Sequence, residues 1–308
     1  MNSPRQPRNL AASIRQRLLN MSKQRHEDFQ LLLTRYGIER TIYRLSLSKY
    51  CKAFILKGAT LFTLWSDNPH RATRDLDLLG RGPSDIAHLE HIFREIIATK
   101  VEEDGLVFLL ESVKGERIKQ DQEYQGVRIH FQARLEAAQI LIQVDIGFGD
   151  TITPSPKEVE YPTLLDFPKP QLLAYPRETV IAEKFQAMVA LGIANSRMKD
   201  FYDIWILASK FDFQGEVLAQ AIKATFSRRQ TPLPTELPLA LTPDFYQEKS
   251  KQTQWEVFIR RNGLQMQGGS FTDVIILLQN FLMPPTYEAI QSGHFNMIWL
   301  PSGPWQAE

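Results

Sequence analysis

At 308 residues, with 43% hydrophobic and 23% charged side chains, the chain has the make-up of an ordinary globular protein and is long enough for two domains. A formal net charge of +1 excludes a global field that would draw it to nucleic acid or a lipid surface, so any basic surface must be local. The single cysteine, Cys51, excludes an internal disulfide and fits a reducing, cytoplasmic setting. No apolar run approaches the ~18 residues of a membrane span, and Met1 to Arg8 lacks the apolar stretch of a secretory signal.

The chain opens with helical patterning. Ile14, Leu18 and Met21 recur at helical spacing; Phe29, Leu32, Leu33 and Tyr36 form a second stretch with Gly37 as its stop; Ile38, Ile42 and Leu45 form a third. Arg35, Arg40 and Arg44 decorate these helices, as a solvated face or as an RNA-facing patch.

Ala53 to Leu56 predicts a short buried strand ending at Lys57-Gly58, with Cys51 a core filler beside it. Thr60 to Trp65 is apolar enough for a helix packed back on that strand. After Pro69 a second strand carries Asp75 and Asp77. Alternation along a strand sends Leu76 and Leu78 into the core and both carboxylates out together. Two like charges held that close repel each other unless a cation sits between them, and a single divalent ion can bridge them; the metal-free reading is an exposed strand end that is merely acidic. The strand, glycine turn and helix just upstream make a place for phosphate.

Gly80 to Pro83 forms a turn, and Ser84 is expected to cap a helix with Ile86, Leu89, Phe93, Ile96 and Ile97 on one face. Strands follow over Leu106 to Val113, Val127 to Leu135 and Gln139 to Gly147. In the second of these Arg128, His130, Gln132 and Arg134 face outward. In the third, Ile140, Ile142, Val144 and Ile146 face the core and leave Asp145 on the other side. A carboxylate there is costly near the core unless it is paired, which makes Asp145 a candidate third carboxylate.

The connector from Asp150 to Pro176 carries six prolines and suggests an extended crossing, with short edge strands around Leu164 and Leu172. Pro176 opens a helix over Arg177 to Leu191 that contains Glu183-Lys184. On the next, from about Arg197 to Lys210, Asp200 and Asp203 share a face and Lys199 is spaced to pair with Asp203. Beyond a proline-rich break, a last amphipathic helix is expected from about Thr272 to Leu282. The expected class is α+β: a mixed sheet with flanking helices, then a mostly helical half.

Lys57-Gly58-Ala59, Arg71-x-Thr73-x-Asp75-x-Asp77, Asp145-Ile146-Gly147, Glu183-Lys184 and Lys199-Asp200-x-x-Asp203 occur here in a recognisable order. Spread over roughly residues 35 to 210, the string resembles the AbiEii/AbiGii-type toxins of the DNA polymerase β-like nucleotidyltransferase superfamily. The resemblance implies a nucleotidyltransferase-like domain over residues 1–160 and a helical domain over 161–308 contributing Lys184, Asp200 and Asp203. The implied reaction moves NMP from an NTP to an acceptor hydroxyl, with the 3′ end of RNA, tRNA above all, as acceptor. A cognate antitoxin protein would be the partner, and no membrane is involved. Asp75 and Asp77 would hold Mg²⁺ or Mn²⁺, and Asp145 would help hold a second ion. Gly58 and Ala59 would offer backbone donors to the phosphates, with Lys57, Arg71 and Thr73 around the nucleotide. Lys184 would neutralise the triphosphate. Asp200 and Asp203 would act as a base or orient Lys184 or Arg197. One departure is Gly58-Ala59 where the superfamily usually has Gly-Gly or Gly-Ser, which removes a hydroxyl contact. The acidic strand is also compatible with a phosphotransferase, a D-x-D glycosyltransferase or a binding module with a degenerate site.

Overall fold

The computed structural model describes residues 9–65, 73–120, 124–264, 269–291 and 293–307; Pro69 and Arg71 therefore lie outside the described residues. It divides into two compact units, Met1–Gly149 with Glu158–Ala174, and Asp150–Lys157 with Tyr175–Glu308.

The first unit begins with helices α1 (Leu10–Arg25) and α2 (Phe29–Leu47), then strand β1 (Phe54–Lys57), a 3-10 turn over Gly58–Leu61 and the short helix α3 (Phe62–Trp65). Strand β2 (Asp75–Gly80), helix α4 (Ile86–Ile97) and strands β3 (Leu106–Gln120), β4 (Tyr124–Leu135) and β5 (Ala138–Phe148) follow. Strands β6 (Lys157–Glu160) and β7 (Gln171–Ala174) complete a seven-stranded sheet in the order β3-β4-β5-β2-β1-β7-β6. It is mixed: β2 runs parallel to β5 and antiparallel to β1, while β7 runs parallel to β1.

Alternation assigns the two faces of this sheet. Ile140, Ile142, Val144 and Ile146 of β5 are fully or almost fully buried, and Leu76 and Leu78 of β2 stand level with Val144 and Ile146. Helix α2 covers that face, and Gly37 is the reason it can. A Cβ at Gly37 would come within 3.0 Å of the Ile142 side chain, so the missing side chain lets helix and sheet close up. Gly37 was expected to stop a helix; instead α2 runs through it, because propensity costs only ~1 kcal/mol against this packing. Helix α4 lies on the same face, where Gly115 makes room for Ile86. Its cap is Asp85, which accepts from His88 N–H at 2.8 Å, one residue beyond the expected Ser84.

Three further expectations are corrected here. Cys51 sits half-buried in a 3-10 turn rather than filling the core. The strand at Leu172 lies inside the sheet between β1 and β6 rather than at an edge, and Leu164 is in no strand. Arg40 and Arg44 are neither solvated nor available to RNA. Both are buried on α2 and converge on Asp104, at 2.9 and 2.6 Å, while Arg35 pairs with Glu27 at 3.2 Å. Arg40 is also held between the rings of Tyr43 and Phe167. A stretched guanidinium has both an apolar face and a charged edge, so it can enter a core that supplies rings and a carboxylate.

The second unit is mostly helical: α5 (Arg177–Leu191), α6 (Met198–Lys210), α7 (Gly215–Arg228), α8 (Pro243–Tyr246), α9 (Lys249–Arg261) and α10 (Phe271–Gln291). Strands β8 (Phe213–Gln214), β9 (Met297–Trp299) and β10 (Trp305–Ala307) form a small sheet in the order β10-β9-β8. Its core is aromatic, with Phe185 against Phe226 and Phe281 against Trp299 and Trp305. Helix α10 continues past the expected end at Leu282, through Pro284 and Pro285. A proline leaves the carbonyl four residues earlier without its helical donor. For Pro285 that carbonyl is Phe281's, and the Trp305 indole N–H donates to it at 3.1 Å.

Candidate active site

Residues level with one another in a sheet put their side chains on the same face. On the face opposite α2, one such row crosses five strands: Glu116 on β3, Arg128 on β4, Asp145 on β5, Asp77 on β2 and Lys57 on β1. Two carboxylates therefore stand side by side at its centre, flanked by a guanidinium and an ammonium. Asp75 lies on the same face of β2 as Asp77, level with Gln143 and His130.

Asp75 and Asp77 are half-buried, between Leu76 and Leu78 that are fully buried on the opposite face. This is the outward pairing that alternation predicts. The backbone that carries Asp75 is held on one side by two hydroxyls: Thr73 and Thr60 donate to its carbonyl at 3.1 and 3.3 Å. Asp77 is held against the turn that follows β1. Gly58 has φ +71, a region that favours glycine, and a Cβ on it would lie 2.0 Å from Asp77 Oδ2. The backbone of Lys57-Gly58-Ala59 thus closes directly on the carboxylate, and glycine alone permits it. The Gly58-Ala59 departure leaves this contact intact, because the contact requires glycine at 58 and no hydroxyl at 59.

Asp145 is engaged differently. Arg128 donates to both of its oxygens, Nε to Oδ1 and Nη2 to Oδ2, each at 2.8 Å, and Gln143 adds a donor at 3.2 Å. The fork holds the Arg128 guanidinium above its usual range, first through the hydrogen bonds it donates to Asp145, with the charges of Asp145, Asp75 and Glu116 adding to it against partial burial.

The donor set fits a hard divalent cation. Two carboxylates project together from one strand, and oxygen donors of this kind suit Mg²⁺ or Mn²⁺. Among the described residues no three His, Cys, Asp or Glu side chains converge as a metal cluster.

In the second unit, Lys184 on α5 and the two aspartates of α6 form a separate ion cluster. Lys184 Nζ is 2.7 Å from Asp200 Oδ1 and 2.9 Å from Asp203 Oδ2, and Arg197 Nε lies 2.7 Å from Asp200 Oδ2. Asp203, which helical spacing also sets against Lys199, is met by Lys184 from the neighbouring helix. Next to Lys184, Glu183 belongs to a second network, in which Arg229 also meets Asp150 and Gln186.

Reading the sequence alone missed Arg128 and Asp104 as partners. Alternation put Arg128 and Asp145 on outward faces, but that they meet depends on the register of β4 against β5, which no local pattern encodes.

A family model described as "Nucleotidyl transferase AbiEii toxin, Type IV TA system" matches residues 40–268. No curated protein matches. Among solved structures, the fold is similar to that of JHP933 from Helicobacter pylori, at 14% identity and TM-score 0.50, covering 86% of this chain and 95% of that one. It is similar also to a candidate nucleotidyltransferase from H. pylori, at 15% identity and TM-score 0.50, covering 87% and 99%.

Proposed function

The chain belongs to the AbiEii nucleotidyl transferase toxin family, and from that premise we propose that it moves NMP from an NTP to an RNA 3′-hydroxyl, that of tRNA above all. The single observation that carries the reading is the acidic pair on β2, with the Gly58 turn closed onto Asp77. In the reaction the acceptor oxygen bonds the α-phosphorus as the bond to the β-phosphate bridging oxygen breaks. Pyrophosphate leaves with the electron pair and the hydroxyl proton is released.

Asp75 and Asp77 are assigned to hold the divalent cation, Mg²⁺ or Mn²⁺. When bound, such an ion neutralises phosphate oxygens and stabilises charge that builds up in phosphoryl transfer. Lys57, Gly58 and Ala59, beside Asp77, are assigned to the nucleotide, and Arg71 and Thr73 to the segment that leads into β2. Fixing Asp75 through its carbonyl is what Thr73 does for that site. In the second unit Lys184 is assigned to counter triphosphate charge, its ammonium fixed by Asp200 and Asp203. An antitoxin is the expected protein partner. The basic residues left for RNA are fewer than the sequence implied, since Arg40 and Arg44 are committed to Asp104. Among the described residues no helix is long and apolar enough to cross a membrane.

Incubation with each α-labelled NTP in turn, with total RNA and with protein, tests this. Label should appear on RNA, and a chelator should abolish it. Label on protein alone removes the RNA acceptor, transfer only from the γ-position makes the enzyme a phosphotransferase, and no transfer with any NTP removes the reading.

A further inference from the structure

We propose that Arg128 is a resident cation of the acidic row, and that Asp145 serves to position it rather than to bind metal, so that Asp75 and Asp77 form a site for one divalent ion. The inference rests on the proposed reading of β2 as the cation site.

Three observations carry it. First, Asp145 has both oxygens in a fork with Arg128 at 2.8 Å, and a third donor from Gln143 at 3.2 Å. Bidentate arginine–carboxylate pairs are the strongest of the charge-assisted kind, and a carboxylate so engaged has to break them before it can chelate. Second, the pair differs from a buried structural one. The Arg128 and Asp145 side chains are 32% and 15% exposed, whereas Arg40 and Asp104 are 0% and 2% exposed. Arg128 therefore has N–H groups left over on an accessible face, as a phosphate-binding guanidinium needs. Third, the row sets a cation on each side of its two central carboxylates. Asp77 and Asp145 stand adjacent, and their mutual repulsion is relieved by Arg128 on one side and Lys57 on the other. A second metal ion at Asp145 would sit against a guanidinium already there. The side of the phosphate that a second ion would serve is served instead by the protein's own charge.

Binding of Mn²⁺ alone to the full chain, followed by electron paramagnetic resonance and calorimetry, tests this beside α-labelled nucleotide transfer. The wild type should take up one Mn²⁺. Asp77→Asn should weaken that binding by at least about tenfold, since even a partner behind a metal ligand is worth that much, whereas Asp145→Asn should change it by less than about threefold while lowering transfer. Arg128→Ala should release Asp145, so that Mn²⁺ binds more tightly or a second ion appears, and transfer should fall. Should that variant fail to fold, Arg128→Lys keeps the charge without the fork and should still bind one Mn²⁺ with reduced transfer. Equal weakening of Mn²⁺ by Asp145→Asn and Asp77→Asn makes Asp145 a metal ligand and overturns the inference alone. So does Arg128→Ala, or Arg128→Lys in its place, with wild-type binding and transfer. A wild type that binds no Mn²⁺ removes the reading of β2 as a cation site and this inference with it.

Discussion

Asp104 and Asp145 are both carboxylates held by arginines in the same unit, yet they sit in opposite surroundings. Asp104 is buried beneath α2, where Arg40 and Arg44 reach it and aromatic rings cover their faces. Burial alone would raise its pKa, but hydrogen bonds and charge from Arg44 and then Arg40 outweigh that and leave it below the ordinary carboxylate range. Asp145 lies in a half-exposed row with another carboxylate beside it. The same chemistry, arginine on aspartate, is closed in one place and open in the other. A charge cluster that is walled in serves folding, because nothing can reach it. One that leaves two carboxylates adjacent on an accessible face holds a surplus charge that a ligand can meet.

The largest expected effect tests the open side. Asp77→Ala leaves one carboxylate on β2, and transfer of α-labelled nucleotide should fall by roughly 10³-fold, the scale of losing a principal electrostatic group. Because Asp77 points away from the packed face, the melting temperature should hardly move. A variant that unfolds, or one that keeps full activity, breaks the distinction from that side.

Asp104→Ala tests the closed side. It strands two guanidinium groups that are at most 7% exposed, and removing one partner of a buried pair costs about 3–5 kcal/mol. Urea denaturation should register that loss, while transfer per folded molecule stays near the wild-type value. Loss of activity without loss of stability would place Asp104 in the machinery.

The cluster in the second unit is intermediate, and Lys184 shows how the two kinds overlap. Lys184 is 11% exposed between carboxylates exposed by no more than 2%, so Lys184→Ala should cost about 2–3 kcal/mol as well as weaken use of the triphosphate. Phe185→Ala, in the neighbouring core position, should cost about 3 kcal/mol or more through the cavity it opens. Activity per folded molecule separates them: it should fall in the lysine variant and hold in the phenylalanine one. Equal behaviour would make Lys184 purely structural.

A smaller loss is expected from Gly58→Ala. The added Cβ meets Asp77 Oδ2 and the backbone conformation is one that alanine adopts at a cost of about 1–2 kcal/mol. Transfer should drop by about tenfold in kcat/KM, with only a modest fall in melting temperature.

How far all this could be foreseen follows from the range of the interactions. The β2 pair was legible because alternation is local: Leu76 in, Asp77 out, needs no knowledge of the partner strands. The helix over Ile86–Ile97 and the strand around Asp145 were legible for the same reason. Gly37 misled, and the helix expected to end at Leu282 runs on, because distant groups bear on both places: Ile142 on the sheet in one case, the Trp305 indole in the other. Arg40 and Arg44 misled most. Charge predicts a surface, and only the approach of Asp104, some sixty positions away, reverses it.

The last expectation concerns Glu39, which lies on α2 next to Arg40 and shares its burial. Its side chain is 2% exposed, and Oε2 accepts from the Leu164 N–H at 2.6 Å, tying the connector before β7 to the helix. Burial pushes the carboxyl up from an ordinary 4.5 to about 7, against the hydrogen bond from Leu164 and the charges of Arg40 and Arg35, with Asp104 adding to the rise. Tyr161 also lies within its field. The folded state thus binds this proton more tightly than the unfolded chain. The stability it contributes is complete below pH 4.5, declines as the unfolded chain ionises, and is lost as pH rises through about 7. Between pH 6 and pH 8 the loss amounts to about 1 kcal/mol. Glu39→Gln keeps an oxygen for the Leu164 N–H but has no proton to lose. Urea denaturation at both pH values should therefore show a stability difference in the wild type that is about 1 kcal/mol greater than in the variant. Equal pH dependence in the two proteins would mean that Glu39 is ionised in its buried seat, as Asp104 is, and that Arg40 serves both carboxylates.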